Sequence, residues 1–267
     1  MLIKLTDKCT MNCPHCMEDA KEQGDIMTLD TFKQAIKFGL HIGSIVFCLS
    51  GGEPTENEHI VEMCEWFDLT FRGSLQKFSI VSNGMWLKDA QKRQRVEWIC
   101  RLPTFIGMQV YTNKMWYKEY DYVMQHQDEY RQYPNVIVDS ESHIFMQDLG
   151  RAKTNIEAQR EVDNNPHFMS CLNAALTAIQ SPTPAGFGVM LTLHRQFCKP
   201  QVDCKGFVHM SESRMCPNVG NVCTDDFGDI WNRMRAFRPC GGCKLYHNFM
   251  QSQRPDIVKA KHILGLL

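Results

Sequence analysis

The sequence predicts an α/β fold: a partial parallel barrel, abridged near its last strands, with a small cysteine-rich C-terminal extension. Strand-like apolar runs alternate with helix-like runs over the first 150 residues, and closely spaced cysteines follow residue 197. Strands separated by helices pair in parallel through right-handed crossovers. Their carboxyl ends then open on one face of the sheet, which is where functional sites are built.

Each element has its own pattern. The predicted strands are 2–5, 44–49, 78–81, 105–111, 136–138 and 144–146. The predicted helices are 29–40, with Thr28 as its cap, 60–71, 89–100 and roughly 115–132. Only residues 139–143 separate the last two strands, which is too short for a crossover helix, so the barrel is expected to be abridged.

The pattern changes after residue 149, and we expect a boundary there. Residues 1–152 form the predicted barrel, 153–197 a connecting insert with possible substrate contacts, and 198–267 the cysteine-rich region. Within the insert a short helix is predicted at 171–179 and a strand at 188–193.

Composition narrows the class of protein. The chain has 267 residues and a formal net charge of −1, so no basic field argues for a nucleic-acid partner. It has no run of about 18 apolar residues and no signal-peptide core, so we expect no membrane span and a cytoplasmic protein. Thirteen cysteines in a reducing compartment favour metal or cluster ligation over disulfides.

The first cysteine group directly follows the first strand. Cys9, Cys13 and Cys16 have the spacing C-x3-C-x2-C. Three thiolates on one tight loop can hold three irons of a [4Fe–4S] cube and leave the fourth iron open, as a catalytic metal site requires. The alternative is a zinc site with His15 as fourth ligand, which the adjacency of His15 and Cys16 disfavours.

Two further motifs end the second and third strands. Gly51 and Gly52 allow close backbone approach, and Glu53 supplies an acceptor for an ammonium group. Ser82 and Asn83 can bind hydroxyls or a carboxylate. Either motif alone is a common turn, but all three motifs fall at the ends of successive strands.

Together these motifs resemble the radical S-adenosylmethionine (SAM) superfamily. The resemblance implies a partial (β/α)6-type TIM barrel, a cluster on the three cysteines, and SAM chelating the open iron. It implies that Gly51, Gly52 and Glu53 bind the methionyl amino group, and that Ser82 and Asn83 lie near the ribose. His15 occupies a position that is often aromatic and contacts adenine.

Gly150-Arg151-Ala152 resembles a signature of superfamily members that carry a cysteine-rich extension. Arg151 is expected either to bind a carboxylate of the cofactor or to make a surface salt bridge.

The C-terminal cysteines resemble the SPASM and Twitch extensions, which bind auxiliary [4Fe–4S] clusters. The single-cluster Twitch form fits the number of cysteines better. Its expected ligands are Cys216, Cys240 and Cys243, with either Cys198 or Cys204 as the fourth. If all five ligate, a second cluster or an open site becomes possible, and structural zinc is the alternative. Cys171 and Cys223 have no assigned role.

The resemblance implies reductive cleavage of SAM to a 5′-deoxyadenosyl radical, with an electron from a flavodoxin- or ferredoxin-like donor. An auxiliary cluster favours net oxidation of the substrate, by dehydrogenation or crosslinking. Because the chain starts directly at strand one and leaves no room for a leader-peptide-binding domain, the substrate is expected to be a small molecule or a peptide that a separate protein recognises. One alternative is a maturation enzyme that works with a separate recognition protein. A different class is a non-catalytic, zinc-stapled binding protein.

Overall fold

The computed structural model describes residues 1–140, 150–158, 160, 200–210 and 217–236, and the single positions 251, 253, 255, 258 and 262. Within these residues the chain has a mixed α/β fold built on one parallel-rich sheet. The predicted strands at 144–146 and 188–193 and the predicted helix at 171–179 lie outside the described residues. No helix in the described part is long and apolar enough to cross a membrane.

The described strands form one sheet in the order β5-β4-β3-β2-β1-β6-β7-β8. Their bounds are β1 Leu2–Lys4, β2 Val46–Ser50, β3 Lys77–Ser82, β4 Phe105–Tyr111, β5 Val136–Asp139, β6 Gln201–Val202, β7 Phe207–His209 and β8 Asn218–Asn221. Pairing is parallel from β5 through β6, and β7 and β8 join antiparallel. The five predicted strands within the first 140 residues are confirmed, and their carboxyl ends share one edge.

The described helices are α1 Leu29–His41, α2 Ile60–Phe71, α3 Ala90–Ile99, α4 Tyr120–Gln125, α5 Gln127–Tyr130 and α6 Phe227–Ala236. The Thr28 side chain accepts a hydrogen bond from the Thr31 amide and caps α1, as predicted. The single helix predicted over 115–132 is wrong in its first part. There the Asn113 side chain accepts from the Met115 amide, and this local turn competes with helix.

One face of the sheet forms the main core. Ile3, Leu49, Ile80 and Met108 lie side by side in register and are buried. They pack in one apolar cluster with residues of the helices, including Cys64, which is fully buried as expected for a small hydrophobic residue. The opposite face is more polar, and it carries Lys4 and Ser50 as a register pair.

Residues from 200 onward extend this same sheet. β6 pairs with β1, on the side away from β2, and the β7–β8 hairpin follows. Val202 and Val208 are fully buried in the main core. Helix α6 packs over the hairpin, and Phe227 lies 5.6 Å from Phe38 of α1, centroid to centroid. The described residues from 200 to 236 are therefore joined to the first five strands and their helices by hydrogen bonds and apolar packing.

A buried carboxylate ties α2 to the start of β4. Asp68 accepts from the Thr104 amide at 3.0 Å and the Thr104 hydroxyl at 2.9 Å, and from Arg72 Nε at 2.9 Å. Burial alone would raise the pKa of Asp68, but these hydrogen bonds hold it below its ordinary value. Its contribution to stability is therefore present above pH 3.8 and is lost as pH falls through the folded-state pKa.

We expect Asp68→Ala to lower the free energy of unfolding by about 3 kcal/mol, because it leaves the buried Thr104 donors without a partner. Urea unfolding followed by circular dichroism measures this. Asp128→Ala, at a carboxylate that is 92% exposed, is the control and should change stability by no more than about 0.5 kcal/mol. Equal midpoints for the two variants would contradict the assignment.

Candidate active site

The cysteine loop leaves β1 at the carboxyl edge of the sheet. Its first cysteine is fixed by a hydrogen bond from the Cys9 amide to the Lys21 carbonyl at 2.7 Å. Cys9 and Cys13 are buried with Met11 and Ala20 in one small cluster, and Cys16 packs against it. Cys9, Cys13 and Cys16 thus lie in one packed cluster, and their predicted role as ligands stays a prediction.

The surroundings of the thiols govern their charge. Burial raises the pKa of Cys9 and that of Cys13 to about 11, and neighbouring thiols add to both shifts. Arg151 and Lys118 act in the opposite direction on Cys13. The side-chain nitrogen of Asn83, Nδ2, lies 3.7 Å from the Cys9 sulfur and donates a hydrogen bond to it. Metal ligation requires thiolates. The Asn83 donor and the two cations oppose the effect of burial on the thiol pKa values, and so they favour the metal-binding form.

The donor set suits a cluster. Among the described residues, no three His, Cys, Asp or Glu side chains converge as they would around a single ion. A [4Fe–4S] cube presents separate irons to separate thiolates, so it requires a pocket ringed by cysteines. Cys9 and Cys13 lie in one packed cluster with Cys16 against it, and we take these three residues to fit a three-cysteine cluster.

Gly51 and Gly52 are required where the second strand meets the cysteine loop. Gly51 has φ +139°, and a Cβ there would lie 2.3 Å from the Thr6 carbonyl oxygen. A Cβ on Gly52 would lie 2.3 Å from the Lys8 carbonyl oxygen. In the structure the two glycines therefore allow close approach of the loop's own backbone. Their predicted approach to a cofactor stays a prediction.

Glu53 connects the ends of β2 and β3. It is almost completely buried, and Oε1 accepts from the Thr55 hydroxyl at 2.7 Å and the Ser82 hydroxyl at 2.9 Å. Oε2 accepts from the Asn83 amide at 2.8 Å. Burial raises the pKa of Glu53, and the bonds from Asn83, Thr55 and Ser82 oppose that shift. The sequence indicated an acceptor here but did not reveal that protein donors surround it.

The Ser82–Asn83 pair is likewise fixed from within. The Ser82 hydroxyl oxygen accepts from the Gly84 amide at 3.0 Å, and the Asn83 side-chain oxygen accepts from the Met85 amide at 2.8 Å. These bonds orient the side-chain nitrogen of Asn83, Nδ2, toward the Cys9 sulfur. The predicted contact of Ser82 and Asn83 with a ribose stays a prediction.

His15 packs between two aromatic residues that sequence reasoning missed. Its ring centroid lies 5.3 Å from that of Trp116 and 5.2 Å from that of Tyr117. Burial, and then the charge of Arg151, lower the pKa of His15 to about 4, so the ring is neutral at pH 7 and packs as an aromatic residue. Trp116 and Tyr117 follow a predicted strand, but they fall inside the segment that the pattern assigned to a helix.

Arg151 contacts the cysteine loop. Its Nε donates to the Cys13 carbonyl at 2.9 Å, and its Nη1 donates to the Ala20 carbonyl at 2.9 Å. Nη1 also pairs with the Asp19 carboxylate at 3.1 Å, with the two side chains 23% and 46% exposed. The predicted salt bridge is therefore present, and the predicted contact with a cofactor carboxylate stays a prediction.

Only Cys204 of the predicted auxiliary ligands lies among the described residues. It is buried, and its thiol donates to the Asp7 carboxylate at 3.4 Å, which places it close to the start of the cysteine loop. Cys223 is exposed. The other predicted auxiliary ligands, Cys198, Cys216, Cys240 and Cys243, lie outside the described residues. Cys171, which has no assigned role, also lies outside them.

Residues 3–111 match the model of the Radical SAM superfamily, so this part of the chain is similar to a radical SAM domain, and that superfamily implies SAM and a [4Fe–4S] cluster. The GTP 3′,8-cyclase of Clostridium perfringens (strain 13 / Type A) is 33% identical over 94 residues, which cover 34% of this chain and 28% of the relative. The PqqA peptide cyclase of Bradyrhizobium diazoefficiens is 31% identical over 65 residues, which cover 24% of this chain and 17% of the relative. The chain thus spans less than a third of the length of these curated relatives.

Two solved structures have a similar fold. BtrN in complex with AdoMet and 2-DOIA has a TM-score of 0.54 at 15% identity, and the alignment covers 89% of this chain and 85% of the BtrN chain. Streptococcus suis SuiB bound to precursor peptide SuiA has a TM-score of 0.55 at 13% identity, and the alignment covers 96% of this chain and 73% of the SuiB chain. At these identities the likeness concerns the fold alone.

Proposed function

We propose that the radical SAM domain of this chain holds a [4Fe–4S] cluster on Cys9, Cys13 and Cys16 and cleaves SAM reductively. One observation carries the proposal: Cys9 and Cys13 are buried in one cluster with Cys16 packed against it, on the loop after β1 and beside the linked ends of β2 and β3. When bound, the cluster and SAM supply a 5′-deoxyadenosyl radical that abstracts a hydrogen atom from the substrate.

The chain's own residues shape the pocket. Glu53 holds the ends of β2 and β3 together, and this fixes Asn83 beside Cys9. Gly51 and Gly52 bring the end of β2 against the loop. In the proposal this edge receives the methionyl and ribose groups of SAM, and His15 faces the adenine.

Beyond SAM cleavage, we propose net oxidation of the substrate. The support is the group of C-terminal cysteines, which we assign to one auxiliary [4Fe–4S] cluster in a Twitch-like extension of a partial barrel. Cys204 is the preferred fourth ligand because its buried thiol lies near the start of the cysteine loop. The electron that reduces the first cluster comes from a flavodoxin- or ferredoxin-like protein. The domain limits remain 1–152, 153–197 and 198–267.

The substrate is a small molecule or a peptide. The similar structure of BtrN contains 2-DOIA, and that of SuiB contains the precursor peptide SuiA. A peptide substrate, presented by a separate recognition protein, is the second candidate, because the local sequence match to a PqqA peptide cyclase favours it.

The test begins with protein purified without air. We expect a brown protein with broad absorption near about 400 nm, and release of 5′-deoxyadenosine when dithionite and SAM are added. Colourless protein with stoichiometric zinc would instead support the zinc-stapled binding protein. A brown protein that never cleaves SAM would exclude the proposed reaction.

A further inference from the structure

We propose that Arg151 is a positioning residue for the second half of the cysteine loop, and that its fixed positive charge makes the cluster easier to reduce. The positioning role concerns the chain alone. The effect on reduction rests on the proposed function.

The contacts of Arg151 span the loop from Cys13 to Ala20. Besides the side-chain bonds to Cys13 and Ala20, the Arg151 amide donates to the Cys16 carbonyl at 2.9 Å. Residues 13–20 belong to no helix or strand, and their own amides supply only weak turn bonds, from Cys16 at 3.2 Å and from Asp19 at 3.4 Å. Two long-range contacts therefore fix this half of the loop: the Lys4–Glu18 ion pair, and the bonds from Arg151, which lies 138 positions away from Cys13.

The backbone beside Arg151 is shaped for this contact. Gly150 has φ +52°, and a Cβ there would lie 2.5 Å from the Cys16 carbonyl oxygen. Ala152 and Ala158 are fully buried and pack with Trp116, Met17 and Tyr117. Residues 150–158 thus dock on the loop and on the aromatic residues beside it, which fixes the start of the arginine side chain.

The side chain also places a permanent charge at the site. Arginine stays protonated at any physiological pH. Its planar guanidinium group can donate hydrogen bonds to several acceptors at once, whereas lysine offers a compact point charge. The net charge around an iron–sulfur cluster is one of the factors that set its reduction potential. Asp19 offsets part of the charge, but it lies toward solvent, where its effect is screened.

Two variants separate position from charge. Arg151→Gln removes the positive charge. Arg151→Lys keeps the charge but cannot donate to the Cys13 and Ala20 carbonyls from two separate guanidinium nitrogens. Arg131→Gln is the control, since Arg131 is 68% exposed and pairs only with α4–α5 neighbours among the described residues. Hydrogen exchange of residues 9–20 is measured on the cluster-free chain. Iron content and the midpoint potential are measured after reconstitution.

We expect both Arg151 variants to exchange the amides of residues 13–20 about tenfold faster than the wild type. At a fixed donor potential, Arg151→Gln should lower the ratio of reduced to oxidised cluster about tenfold, which corresponds to 59 mV for a one-electron couple. Arg151→Lys should retain most of the potential, and Arg131→Gln should match the wild type in every measurement.

Wild-type exchange rates in both variants would overturn the positioning role, and an unchanged potential in Arg151→Gln would overturn the role of the charge. Failure of the proposed function is a separate result: the wild-type chain would then bind no [4Fe–4S] cluster. In that case the exchange experiment still decides whether Arg151 positions the loop, because it uses the cluster-free chain.

Discussion

Replacing Cys13 with alanine should abolish SAM cleavage, and 5′-deoxyadenosine should fall to the level measured without reductant. Cys13 is buried in the same cluster as Cys9, and Cys16 packs against that cluster. Without its thiolate one iron of the cube has no protein ligand, and two cysteines cannot leave a single open iron for SAM. The loss should therefore affect the cluster itself as well as turnover.

The measurements are iron content, absorbance near about 400 nm and 5′-deoxyadenosine release from anaerobic protein. Cys223→Ala is the matched control, because Cys223 is exposed and has no role in the proposed site. Cys243→Ala should lose the auxiliary cluster but still cleave SAM. If the Cys13 variant retained cleavage, the ligand assignment would be wrong, and the radical mechanism would have to be placed elsewhere.

The parts of the fold that could be predicted are those encoded locally. The strand at 105–111 is apolar except at Gln109, and Thr28 is a local cap signal, so their elements lie where expected. Cys9, Cys13 and Cys16 come together because they share one short loop. Their neighbourhood with Ser82 followed from parallel strands, whose carboxyl ends meet at one edge.

The parts that could not be predicted depend on distant contacts. Strand β6 has only two residues, Gln201–Val202, and it forms by pairing with β1, so no periodicity reveals it. The bond from Arg151 to Cys13 joins residues 138 positions apart. Trp116 and Tyr117 lie within the predicted helix 115–132, but the Met115 amide donates to the Asn113 side chain, and this turn overrides the helical pattern.

Glu53→Gln should be far more damaging than its small change in shape suggests. Both carboxylate oxygens of Glu53 accept hydrogen bonds, Oε1 from Thr55 and Ser82 and Oε2 from the Asn83 amide. In either orientation, the new amide group therefore turns a donor toward another donor in a buried site. We expect a loss of about 2 kcal/mol in the free energy of unfolding and at least about a tenfold drop in SAM cleavage.

Glu58→Gln is the control, at a carboxylate five residues away that is 70% exposed, and it should leave both quantities unchanged. Urea unfolding of the cluster-free chain measures stability, and 5′-deoxyadenosine release measures cleavage. Loss of both quantities means that Glu53 acts through the join between β2 and β3. If cleavage falls while stability is unchanged, the carboxylate acts on the SAM ammonium group, and its bonds to Ser82 and Asn83 serve only to orient it. A variant with wild-type stability and wild-type cleavage would refute both roles, and the pocket would then be held together by the glycine contacts and Arg151.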